Sequence, residues 1–318
     1  YQKALDTYEK IHEATVDITN QYSLNNTESQ QWEACLKDFL QDEQLDGLNR
    51  YQAAVRLNII YLNYRQYEKL RQPLDKQDQL FRKGLFYSRR LLANYYSNRL
   101  LLHTLIGELD QAIYYGYLSI RARNSDYLHY VNNLCSVLLR KGNKLEALQL
   151  MQEALPEAKK NTNPHTRVVF ATFYVRALNE NHLLKEAQRY AEIFLRGYQE
   201  QVMSQRWHGF FSAYIQNLLA QERYDLIVKV CQRYRLLARE EVYKKRPGYI
   251  PNLSWYIRMS QYKEGIISED QLKKVFLKSG REAYLSSQKS RSQILDLINE
   301  LTPHLPATLT HLKDQVVT

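Results

Sequence analysis

The sequence predicts an all-α protein built from antiparallel helix pairs. Three observations predict it. Gly and Pro number only ten and seven among 318 residues, too few to turn many hairpins. Leu, Gln, Arg, Lys, Glu and Ala dominate, and all are good helix formers. Small side chains also recur along the chain at helical spacing, each time after a second apolar face and a short turn.

The recurrence sets the order of elements. Ala112 is followed at +4, +7 and +8 by Gly116, Ser119 and Ile120, and Ala147 by Met151, Ala154 and Leu155. Ala187 is followed by Ala191, Phe194 and Leu195, and Ile227 by Cys231 and Tyr234. Each set lies on one helix face, and the four centres are 35, 40 and 40 residues apart. The preceding helices carry Val131, Leu134, Cys135 and Leu138; then Ala171, Tyr174, Val175 and Leu178; then Phe211, Tyr214, Ile215 and Leu218. The turns between them read RKGNK, NENHL and AQERY. Small residues at the centre of the second helix let a neighbouring helix come close, so Ala147 is expected to be buried.

These residues resemble the tetratricopeptide repeat, a pair of helices about 34 residues long. Gly142, Ala147 and Ala154 carry the likeness best, followed by Gly107 and Ala112. The likeness covers about residues 93–240; the family's Trp and closing Pro are missing, and units of 40 are longer than its norm. It implies a right-handed α-solenoid, a superhelix of stacked pairs.

The flanks continue the pattern more loosely. Residues 1–90 are expected to form N-terminal helical or capping repeats, 91–245 the core repeats, and 246–318 a C-terminal pair with a capping helix, all in one continuous solenoid. Residues 51–74 read as a pair with Tyr67 and Leu70 in the second helix. Ser268 and Gln271 form a capping box, and Gly280 suits the end of the helix it opens. The last helix is expected to break near Pro303 and Pro306.

Composition narrows the function. Hydrophobic residues at 44% can build a core, which argues against disorder. No apolar run approaches the ~20 residues that span a bilayer, and no signal-peptide pattern is present, so membrane insertion is not expected. Residue 1 is Tyr, which fits a segment of a longer chain or a processed product. Three widely spaced cysteines, Cys35, Cys135 and Cys231, fit thiols in the reducing cytoplasm. The first fifty residues hold ten acids against four bases, so the rest of this +10 chain carries +16.

No phosphate-binding glycine loop, nucleophile elbow or metal-spaced His and Cys set occurs, so neither catalysis nor a cofactor or metal is expected. His103, His129, His182 and His208 read as packing or surface residues.

Two binding readings remain. The resemblance implies that the first helix of each pair lines a concave groove. Carried over by repeat position, the lining is Asn94 and Ser97; then His129, Asn132, Asn133, Ser136 and Arg140; then Thr172, Arg176 and Asn179; then Ser212 and Gln216. This amide-rich stripe offers donors and acceptors to an extended peptide backbone. The Lys and Asn set by which some relatives hold a C-terminal carboxylate is absent. The expected role is a non-catalytic, protein-binding scaffold, the sensing or regulatory arm of a larger chain or complex.

The alternative is nucleic acid. Arg233, Arg235, Arg239, Lys244, Lys245 and Arg246 cluster around Tyr234, Tyr243 and Tyr249, where cations could meet phosphates and rings could stack bases. A non-catalytic region of a multidomain signalling protein or enzyme is the third class.

Overall fold

The structure is a computed structural model that describes residues 27–63, 66–83, 89–121, 123–243, 250–286 and 288–317. Among these residues there is no strand. Among the described residues, sixteen α-helices follow one another in packed neighbouring pairs. The chain forms two compact units, Tyr1–Leu150 and Met151–Thr318.

The first unit contains α1 (Thr27–Gln41), α2 (Gly47–Asn63), α3 (Arg71–Arg82), α4 (Arg89–Ile106), α5 (Leu109–Ile120), α6 (Tyr127–Lys141) and the start of α7 (Lys144–Lys160). The Asp46 carboxylate accepts from the Leu48 and Asn49 backbone N–H groups at 3.0 Å and caps α2. Leu36, Leu40, Ala53, Leu57, Ile60, Leu74 and Tyr95 bury one another where α1 to α4 meet. Tyr67 lies in a short 3-10 turn rather than in the expected second helix, which starts only at Arg71. Pro73 explains the start: proline fits the first turn of a helix, where its missing N–H has no partner to lose.

Gly116 is the close-packing point of this unit. A Cβ there would stand 2.6 Å from Leu134 Cδ1 and 2.8 Å from Leu100 Cδ1. Only hydrogen at that position lets α5 sit against both α4 and α6.

The second unit continues α7 and adds α8 (Pro164–Glu180), α9 (Leu184–Gln201), α10 (Trp207–Ala220), α11 (Tyr224–Tyr234), α12 (Leu236–Tyr243), α13 (Asn252–Lys263), α14 (Glu269–Ser286), α15 (Gln288–Leu301) and α16 (Leu312–Val317). Asn163 caps α8 by accepting from Thr166 N–H at 3.1 Å, with Pro164 next to it. A π-type stretch, Val202–Arg206, joins α9 to α10 just after a kink at Tyr198 (φ −134°).

The capping box forms as expected: Ser268 N–H donates to Gln271 Oε1 at 2.9 Å and Gln271 N–H to Ser268 Oγ at 3.3 Å. The break after Leu301 also occurs, with 3-10 turns at Thr302–His304 and Ala307–Leu309. Gly280, however, does not end α14, which runs on to Ser286. Its Cβ would meet Val316 Cγ2 at 2.9 Å and Trp255 Cζ2 at 3.2 Å, so a packing need and not a helix end explains the glycine.

One local motif recurs at five turns. Gly107, Gly142, His182, Glu222 and Gly265 all take the left-handed conformation, with φ of 87°, 91°, 59°, 55° and 68°. After each, an N–H reaches back five residues: Glu108 to the His103 carbonyl, Asn143 to Leu138, Leu183 to Leu178, Arg223 to Leu218 and Ile266 to Gln261, at 2.8–3.0 Å. This is the Schellman closure, which satisfies carbonyls left over at a helix end. The following helix then buries the predicted face: Ala112, Ala147, Ala187 and Ile227 are all fully buried.

Candidate partner-binding face

In the first unit, His129, Asn133, Ser136 and Arg140 follow at +4, +3 and +4 along α6, and so share one face. His129, Ser136 and Arg140 are exposed. Two of the row are also ties between helices. Asn133 Nδ2 donates to Ser97 Oγ at 3.2 Å and contacts His129 Nε2 at 3.2 Å. Arg140 Nη1 donates to the Thr104 carbonyl at 2.8 Å. Both bonds reach from α6 to α4, where Asn94 is half-buried.

Asn132 was expected on this surface, but its residue is only 2% exposed. Its neighbour in sequence faces out while Asn132 turns inward, and its Oδ1 has no hydrogen-bond partner among the described residues. Ser97, at the matching place on α4, is buried too.

In the second unit the face differs, with Phe173 at the position of Asn133. Arg176 on α8 is exposed, with its guanidinium 5.7 Å from the Phe173 ring centre. Thr172 is only 8% exposed, and its hydroxyl donates to the Val168 carbonyl of its own helix at 2.9 Å. Ser212, at the matching place on α10, is half-buried. Asn179 Nδ2 donates to the Ala213 carbonyl at 3.0 Å, and Asn217 Nδ2 donates to Asn179 Oδ1 at 2.8 Å. These bonds hold α8 against α10. Gln216 Nε2 donates to Tyr256 Oη at 2.9 Å and to Glu300 Oε1 at 3.1 Å, while the Tyr256 hydroxyl donates to Glu300 Oε2 at 2.8 Å. Loss of water around this triad raises the Tyr256 hydroxyl well above its ordinary pKa and raises the Glu300 carboxyl as well.

The amide stripe thus has two uses. Asn133, Asn179 and Gln216 are spent on neighbouring helices. His129, Ser136, Arg140 and Arg176 remain open to water within their own units. The ties hold the helices that carry the open residues against their neighbours.

The basic cluster is divided. Arg233, Arg235 and Arg239 are exposed on α11, the turn after it and α12. Lys244, Lys245, Arg246 and Tyr249 lie outside the described residues. The Arg233 guanidinium stands 5.4 Å from the Tyr234 ring centre. That ring packs 5.0 Å from Phe211, and Tyr234 is only 9% exposed, so it offers no open face on which a base could stack.

Sequence reasoning missed a groove of about 480 Å³ between α9 and α11. Leu195, Tyr214, Leu226 and Val230 form its apolar lining, and Arg196, Lys229 and Arg233 edge it. The only signal in the sequence was the alternation of apolar and basic residues in LIVKVCQR, which reads equally as an ordinary amphipathic helix.

Among the described residues, no group of three or more His, Cys, Asp or Glu could hold a metal ion, and no helix is long and apolar enough to cross a membrane. A scan against protein-family models matches none, and a search of curated proteins returns no significant match.

Proposed function

We propose that this chain is a divergent tetratricopeptide-like array, a right-handed α-solenoid that binds a segment of another protein and carries out no chemistry itself. It serves as a scaffold, or as the sensing or regulatory arm of a larger chain or complex. The observation that carries this reading is repetition. Five turns close on the same left-handed residue and the same five-residue bond, and the helix after four of them buries the predicted face. Arrays built this way present matching rows of surface residues, and proteins of this construction use such rows for binding.

Within the first unit the first-helix contacts are His129, Ser136 and Arg140, with Asn94 beside them; within the second unit, taken by itself, the contact is Arg176. A cytoplasmic setting goes with this reading and is supported by the burial of Cys135 and Cys231, which suits structural thiols.

Site-specific photo-crosslinking tests the proposal. A crosslinker placed at Ser136 captures a defined protein from cells of the source, whereas one at Gln149, exposed on α7, does not. Equal capture from both positions, or none from Ser136, contradicts the reading.

A further inference from the structure

We infer that the groove between α9 and α11 is a docking site for an acidic amphipathic helix of a partner protein. It is built on the second helices of two pairs and is independent of the first-helix row proposed above. Leu226 and Val230 stand one turn apart on α11 and are only half-buried, although their neighbours Ile227 and Cys231 are packed inside. They leave an apolar strip facing the opening, with Leu195 across it on α9.

Cations outnumber acids around the strip, three to one in its lining. Lys229 and Arg233, one turn apart, follow it along α11, and Arg196 stands on the α9 side. Glu192 is the only acid in the lining, and it is engaged: its Oε1 accepts from Gln188 Nε2 at 2.8 Å and from the Tyr214 hydroxyl at 3.3 Å. Lys229 meets Asp225 at 3.4 Å on its own helix, but its side chain remains 71% exposed. Asp225 is also met by Arg223 at 3.4 Å, so it does not depend on Lys229 alone, and exposed pairs of this kind yield readily to a competing carboxylate.

An apolar strip edged by cations matches a helix that places apolar residues at i, i+3 or i+4 and i+7 with carboxylates on either side. The cations would orient such a helix and hasten its arrival, while the strip supplies the affinity. A single-stranded nucleic acid fits less well, since the groove wall offers Tyr214 and Tyr234 edge-buried and no free ring for stacking.

The test uses fluorescence anisotropy with a labelled helical peptide carrying Leu at i, i+3, i+4 and i+7 and Glu elsewhere. A second peptide has Lys in place of every Glu. The whole chain is expected to bind the Glu peptide, more weakly as salt rises, and to ignore the Lys peptide. Arg196→Glu with Arg233→Glu weakens binding by at least ~tenfold, the equivalent of about 1.4 kcal/mol. Val230→Arg, which fills the strip, does the same. Lys229→Glu gives a milder version at an exposed position should the double variant fold poorly. The inference is overturned if the Glu peptide does not bind, if charge reversal in a folded variant leaves its affinity unchanged, or if both peptides bind alike. It is also overturned if a single-stranded oligonucleotide binds and displaces the peptide. Failure of the Ser136 crosslink leaves this result untouched, because the groove shares no residue with that row.

Discussion

Asn217 Nδ2 lies 2.8 Å from Asn179 Oδ1 and also donates to the Leu184 carbonyl at 2.9 Å, so one fully buried amide ties α10 to α8 and to the start of α9. Asn217→Ala removes both bonds and leaves two acceptors without that donor. Buried groups stranded in this way cost about 1–3 kcal/mol each. Chemical denaturation is expected to show a loss of about 2–4 kcal/mol. An unchanged midpoint would mean that the amide ties contribute nothing to packing.

The five left-handed turns make a prediction of opposite signs. Gly142 holds φ of 91° freely, whereas His182 and Glu222 hold 59° and 55° with a Cβ in place. A side chain in that region costs roughly 1–2 kcal/mol. Gly142→Ala should therefore lower stability by about 1 kcal/mol. His182→Gly should raise it or leave it level, because relief of strain is offset by extra freedom of the unfolded chain. Thermal melts of the two variants check the pair.

Two helical glycines separate space from propensity. Gly116→Val forces methyl groups into the leucines on either side, an overpacking worth about 1–3 kcal/mol. Gly197→Ala meets nothing within 4 Å and gains helix propensity of about 0.5–1 kcal/mol. Melting temperatures that move in the same direction would sink the packing account of Gly116.

Ala147→Arg extends the same logic to the repeat register. The residue is fully buried, so the change adds both bulk and an unpaired charge. Each effect costs at least ~1–3 kcal/mol. A parental melting temperature would contradict the alignment of Ala112, Ala147, Ala187 and Ile227.

Glu300 gives a pH signature. Its carboxyl is raised in the fold, so the folded chain holds that proton more tightly than the unfolded chain does. The contribution to stability is therefore full at acid pH and is lost as pH rises through the raised value. His304 is shifted the other way by burial, so its contribution is present at neutral pH and lost on acidification below about 6.5. Denaturation midpoints measured across pH should decline less steeply toward alkaline pH in Glu300→Gln than in the parent. Parallel profiles would refute the assignment.

The buried faces were legible because spacing alone defines a helix face, and Ala112, Ala147, Ala187 and Ile227 all fall inside. The Ser268 and Gln271 cap was legible because it is a local exchange of two bonds. Gly280 was not: a glycine reads as a helix end from its neighbours, whereas Val316 and Trp255 decide it from elsewhere in the unit. His182 and Glu222 hid their left-handed turns because neither residue type announces one. Asn132 was misplaced for a different reason. It is next to Asn133 in sequence, and a rotation of one residue on a helix separates a side chain facing water from one turned into the packing. The amide ties were invisible because Asn and Gln serve a partner and a neighbouring helix equally well.

The central claim is that the exposed residues of the first-helix row bind a partner segment. The most direct measurement is calorimetric titration of the partner captured through Ser136 against the parent chain and against Ser136→Arg, with melting temperatures recorded for both. Position 136 is exposed, so the fold should be unaffected, with melting shifted by less than about 0.5 kcal/mol equivalent. The account predicts affinity lowered by at least ~tenfold at unchanged melting. Full affinity in the folded variant would contradict it.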